Sequence, residues 1–92
     1  MDYTWDPEKS RTNTQKHGYS FDQIRGFDWE FAICVQHQAV LGEERELWIG
    51  PIVNNLVTVV VVETYDTDIR IISLRSATNT EIAIWRREFQ SE

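Results

Sequence analysis

The sequence predicts an α+β fold: two N-terminal helices, a four-stranded antiparallel sheet and a C-terminal helix. Three observations carry this. The first part of the chain is punctuated by helix start and stop signals, Asp6-Pro7, then Gly18, then Ser20-Phe21-Asp22-Gln23. From Trp29 onward the apolar period changes from helical to two, the mark of half-buried strands. A further signature, Thr78-x-x-Glu81, then reopens a helical stripe. Hairpin-length connections between the strands make the sheet a meander with helices packed on it.

Each element has a local reason. Asp6 is an N-cap, and Pro7 takes the first helical position, where its missing N–H costs nothing. That helix runs to about His17, and Gly18 supplies the left-handed residue that ends it. Lys9, Arg11, Thr12, Asn13, Gln15 and Lys16 leave it almost no apolar stripe, so it must lie on the surface, held by its ends and by Trp5. Ser20 and Gln23 form a capping box that starts a second short helix, with Phe21, Ile24 and Phe27 inward. In the first strand Trp29, Phe31, Ile33 and Val35 alternate with Glu30, Ala32, Cys34 and Gln36. After a loop at 38–42, Arg45, Leu47 and Ile49 alternate with Glu44, Glu46 and Trp48 as far as Gly50-Pro51. A turn at Asn54-Asn55 leads into the β-branched run from Leu56 to Thr64, the most buried strand. A second turn, at 65–68, precedes a fourth strand from Ile69 to Leu74. The last helix puts Ile82, Trp85 and Phe89 on one stripe, with Arg86 and Arg87 in its final turns.

Ninety-two residues make one domain, 1–92, and 41% hydrophobic content with four Trp supplies a core. A single cysteine, Cys34, excludes an internal disulfide framework and any multi-cysteine zinc site. Met1 to Asp6 is polar and acidic rather than a signal peptide, and the apolar run ending at Val62 is too short to span a bilayer. A soluble cytoplasmic protein with no membrane partner is therefore expected. The net charge of −6 argues against generic nucleic-acid binding, which leans on phosphate neutralisation. The average conceals an asymmetry, however. Lys9, Arg11, Lys16 and Arg25 face only Asp22 in the segment 9–25, whereas Arg45 is the only basic residue among the many acids of 28–68.

His17, His37 and Cys34 are the only soft metal ligands, and no pair of them has zinc-type spacing; no glycine-rich phosphate loop is present. Neither a metal nor a cofactor is expected. What remains is a constellation of Lys9, Lys16, His17, Glu44, Arg45, Arg70 and Arg75. RNA cleavage without a metal needs such a set. A base activates the 2′-hydroxyl, an acid protonates the leaving 5′-oxygen, and fixed cations stabilise the phosphorane dianion. Histidine titrates near neutrality, and the arginine fork suits phosphate oxygens. On composition and spacing alone, the same residues also fit strand arginines paired with nearby acids and a Lys16-His17 helix cap. Strict alternation further limits the set: Arg45 and Glu44 fall on opposite sheet faces unless a bulge intervenes, and so do Arg70 and Arg75.

Taken in order, Trp5-Asp6-x-x-Lys9, Asn13, Lys16-His17-Gly18-x-x-Phe21, Glu44-Arg45, Gly50, Arg70-Ile71-Ile72-Ser73-x-Arg75-x-Ala77 and Glu81 resemble the BrnT family, the toxin halves of type II toxin–antitoxin pairs. The resemblance implies a RelE-like ribonuclease fold, metal-independent cleavage of RNA and growth arrest. It also implies neutralisation by a BrnA-type antitoxin, whose DNA-binding domain would be the complex's only link to DNA. Carried over by position, it makes His17, Glu44, Arg45 and Arg75 catalytic candidates and Lys9, Lys16 and Arg70 contacts to RNA phosphate. The alternative is a catalytically inactive, toxin-like interaction module that still binds an antitoxin.

Overall fold

A computed structural model of the chain describes residues 2–40, 43–53, 56–65 and 68–89. Helix α1 spans Pro7–His17 and α2 Asn79–Phe89; between them lie two 3-10 helices, Phe21–Gly26 and Trp29–Phe31. The strands are β1 (Asp2–Thr4), β2 (Ile33–Val40), β3 (Glu43–Ile52), β4 (Leu56–Tyr65) and β5 (Asp68–Ser76). They form one sheet in the order β1-β5-β4-β3-β2. The expected antiparallel meander is there as β2 to β5. A fifth strand corrects the count: β1 adds to the outer edge of β5 in parallel, Tyr3 opposite Ile69.

The capping signals act as the sequence indicates. Asp6 accepts from Glu8 N at 2.9 Å, and Gly18 adopts φ 80°, donating to Thr14 O at 2.9 Å. Ser20 N donates to Gln23 Oε1 at 2.8 Å, although the segment it opens is a 3-10 helix rather than an α-helix. Thr78 and Glu81 exchange both bonds of a capping box, at 2.8 and 3.2 Å.

The strand expected to begin at Trp29 begins instead at Ile33. Asp28 captures Glu30 N through its side chain and Phe31 N through its carbonyl, at 3.1 and 3.2 Å. This local capture holds Trp29–Phe31 in a 3-10 turn. Phe31 consequently stands 49% exposed, and Val35, at an irregularity in the β2–β3 register, 41%. β2 continues to Val40 and β3 through Pro51, whereas the turns expected at Asn54-Asn55 and Asp66-Thr67 lie outside the described residues. Pro51 is tolerated because its carbonyl accepts from Asp28 N at 3.0 Å, so its missing N–H faces that irregular segment rather than β4.

One face of the sheet carries the main core: Ile52, Val60, Val62, Ile71 and Leu74 packed with Phe21, Ile24 and Phe27. The opposite face buries the paired residues Ile49 and Val59, and α2 lies against β3. Trp85 Nε1 ties α2 to Phe31 O at 2.6 Å. Gly50 has no room for a side chain: a Cβ there would lie 2.7 Å from Ala32 Cβ and 2.8 Å from Phe27 Cζ. Gly50→Ala is expected to cost about 1–3 kcal/mol, because the buried Phe27 ring and the chain at Ala32 must both shift. Urea denaturation checks this; an unchanged midpoint would mean the segment can part from β3 freely.

Candidate active site

The site is built where α1 runs beside the C-terminal half of β5. A cleft of about 330 Å³ between them is lined by Glu8, Lys9, Thr12, Asn13, Lys16, His17, Ile72 and Ser73. Lys9, Asn13, Lys16 and His17 share one helix face through their three- and four-residue spacing. Among the described residues, Lys9, Lys16 and His17 have no salt-bridge partner, whereas Glu8 is engaged by Arg11 at 2.5 Å. The structure thus brings together three of the residues singled out in the sequence.

β5 supplies the other wall through a bulge. Val61 pairs with Ser73 and Val62 with Ile71, so Ile72 is the extra residue. Strict alternation separates Arg70 from Arg75, and the structure corrects this. Ile71 before the bulge and Leu74 after it both enter the core, although their parities differ. Arg70, Ser73 and Arg75 are thereby left together on the opposite face, paired with Glu63, Val61 and Val59.

Arg75 is held at the end of β5 by α2. Its Nη1 and Nη2 donate to the two carboxylate oxygens of Glu81, both at 2.8 Å, and Nη1 also reaches Ser76 O at 3.2 Å. Among the described residues the Nε–H and the second Nη2 hydrogen are left over. They lie on one edge of the guanidinium, the edge that can grip two phosphate oxygens. Hydrogen bonding from Arg75 holds the Glu81 carboxyl down at about 2, and the same bond raises the guanidinium. Glu81 is therefore a fixed anion that orients Arg75, not a proton donor near neutrality.

Arg45 and Glu44 separate as alternation requires, because the β3–β4 register runs without interruption through both. Arg45 donates Nε and Nη2 to the buried Glu63 at 3.1 and 2.9 Å, in one cross-strand row with Arg70. It thus shares the face of Arg70 and Arg75, two strands from β5. Glu44 points to the other face, where its carboxylate lies 3.7 Å from His37 Nε2 and accepts from Thr64 at 3.5 Å. The structure does not bring Glu44 to the cleft. Asn13, Ser73 and Glu81 are the residues that sequence reasoning left off the candidate set. A signal existed for Asn13, a polar residue midway between Lys9 and Lys16–His17 on a helix with no apolar stripe to seat it.

Among the described residues, no three His, Cys, Asp or Glu side chains gather in a group that could hold a metal ion, and no helix is long and apolar enough to cross a membrane. Against known proteins, the family described as "Ribonuclease toxin, BrnT, of type II toxin-antitoxin system" matches residues 5–81. The chain belongs to the BrnT family. The crystal structure of the Brucella abortus ribonuclease toxin BrnT superposes with a TM-score of 0.68 at 28% identity, covering 86% of this chain and 99% of that one. No curated protein matches the sequence. The matched span begins at Trp5, just before α1, and ends at Glu81, the partner of Arg75, so the BrnT pattern takes in every residue of the cleft. Membership makes the chain one half of a toxin–antitoxin pair, whose other half is an antitoxin.

Proposed function

We propose that this BrnT-family chain is a metal-independent endoribonuclease of the cytoplasm that arrests growth and is neutralised by a BrnA-like antitoxin. The observation that carries this is the meeting, at one cleft, of Lys9, Lys16 and His17 on α1 with Ser73 on β5, whose strand face also carries Arg70 and Arg75. An RNA strand entering the cleft places a phosphate against the free edge of Arg75 and the lysine ammonium groups. His17 serves as the proton carrier, because it is the imidazole among the described residues of the cleft and imidazole is the usual side chain for proton transfer. The lysines and Arg75 offset the charge that builds on the phosphorane. Arg70 and, further along the same face, Arg45 bind flanking phosphates, Arg45 kept in place by its bonds to Glu63. Glu44, on the other face, has no part in the reaction. Contact of the complex with DNA runs through the antitoxin.

The test is expression without a partner, followed by incubation of the purified chain with RNA in excess chelator. Arrested growth together with chelator-resistant cleavage supports the proposal. Normal growth with intact RNA at good soluble expression sinks it in favour of an inactive antitoxin-binding module. For His17, alanine and asparagine replacements are both expected to lower the cleavage rate by about 10²–10⁴-fold. Asparagine can still end a helix but cannot carry a proton; an active His17→Asn variant would reduce the histidine to a cap.

A further inference from the structure

We propose that Asn13 is a positioning residue: its side-chain amide completes the open edge of β5 and thereby sets the spacing between the two walls of the cleft. The inference rests on the ribonuclease proposal for its activity readout alone. β1 covers β5 only as far as Arg70, and beyond that point no described strand lies on the outer edge. Asn13 takes the place of one. Its Nδ2 donates to Leu74 O at 2.7 Å, and its Oδ1 accepts from Leu74 N at 3.3 Å. A carboxamide carries the same donor and acceptor as a peptide unit, so it can pair with a strand residue as a neighbouring strand would. The second Nδ2 hydrogen goes to Tyr19 O at 2.8 Å, which also fixes the chain just past Gly18.

Nothing apolar duplicates this anchorage. Asn13 is the buried residue of α1, at 7% exposure, and no residue of α1 belongs to the hydrophobic core. Besides Asn13, Ser10 Oγ accepts from Phe21 N at 2.8 Å near the middle of the helix. The position of the amide matters more than its energy. Lys9, Lys16 and His17 flank it on the helix face, while Ser73 and Arg75 flank its partner Leu74 on the strand. One side chain therefore joins the centre of the cationic helix face to the centre of the strand wall. Aspartate cannot substitute, since it would turn an acceptor toward the carbonyls of Leu74 and Tyr19.

The experiment compares wild type, Asn13→Ala and Asn13→Asp by steady-state RNA cleavage and by amide hydrogen exchange. Both variants are expected to lose about a hundredfold in kcat with little change in KM, because reacting groups are misplaced rather than removed. In Asn13→Ala the Leu74 amide should exchange faster while Val60 and Val62 keep their protection. Combining Asn13→Ala with His17→Ala should cost less than the product of the two separate losses, because part of the Asn13 effect is exerted through His17. Wild-type kcat in either variant, or protection lost uniformly through the core, overturns the proposal. If wild type itself cleaves no RNA, the ribonuclease proposal fails, and unchanged Leu74 exchange in Asn13→Ala independently defeats the positioning role.

Discussion

Replacing Arg75 with alanine is expected to lower kcat/KM for RNA cleavage by about 10²–10³-fold, the usual effect of deleting one preorganised donor to a developing oxyanion. The expectation follows from the geometry of the fork. Glu81 and Ser76 occupy one side of the guanidinium and leave its Nε edge without a partner among the described residues. Lysine at the same position should recover little, because a single ammonium cannot keep both the carboxylate and two phosphate oxygens. Glu81→Gln separates holding from binding: it retains Arg75 but loosens it, and it should cost about 1–3 kcal/mol of stability at neutral pH. The pH dependence has a definite sign. The Glu81 carboxyl is depressed on folding from 4.5 to about 2, so its stabilisation is complete above the higher value and is lost as pH falls toward the lower. Urea midpoints of wild type and Glu81→Gln should therefore differ by a constant amount from pH 5 to 8 and converge below pH 4.5. A gap that widened on acidification would contradict the assignment of Glu81 as the buttress of Arg75.

The largest loss of stability is expected at Phe21. Its ring is fully buried between the 3-10 segment and the sheet, in the cluster with Ile24, Phe27 and Leu74. Phe21→Ala leaves a cavity that the β-branched wall of β4 cannot collapse into, and about 3–5 kcal/mol should be lost. That is a large part of the roughly 5–15 kcal/mol available to a domain. The effect should also reach the cleft, because Phe21 N is the donor to Ser10 of α1. Thermal unfolding of Phe21→Ala measures the first effect, and a melting temperature near that of wild type would show that the core repacks.

Helix ends were the most legible part of this chain, because capping is a local affair of one or two side chains, as at Asp6, Gly18 and Thr78. The meander was legible for the same reason, since period-two alternation survives in β3 and β4. Two features were hidden. β1 is three residues long, too short to show a period, and its pairing is with residues far along the chain. The bulge at Ile72 lies inside an unbroken apolar pair, Ile71-Ile72, so the change of phase leaves no trace in hydropathy. That one residue decides whether Arg75 lies with Arg70 or with the core. Of the candidate residues, Lys9, Lys16 and His17 line the cleft, and Arg70 and Arg75 share the face of β5 that carries Ser73; Glu44 lies on the other face, because no corresponding bulge interrupts β3.

The parallel pairing of β1 with β5 has a consequence for how the chain is made. Domains tend to fold as synthesis proceeds, yet here β1 has no described partner until β5 follows it. The helix beside it has local bonds to Tyr19 and Phe21, but its buried Asn13 amide also waits for Leu74, 61 positions on. A nascent chain interrupted anywhere short of β5 carries its lysines and histidine with nothing to set them against.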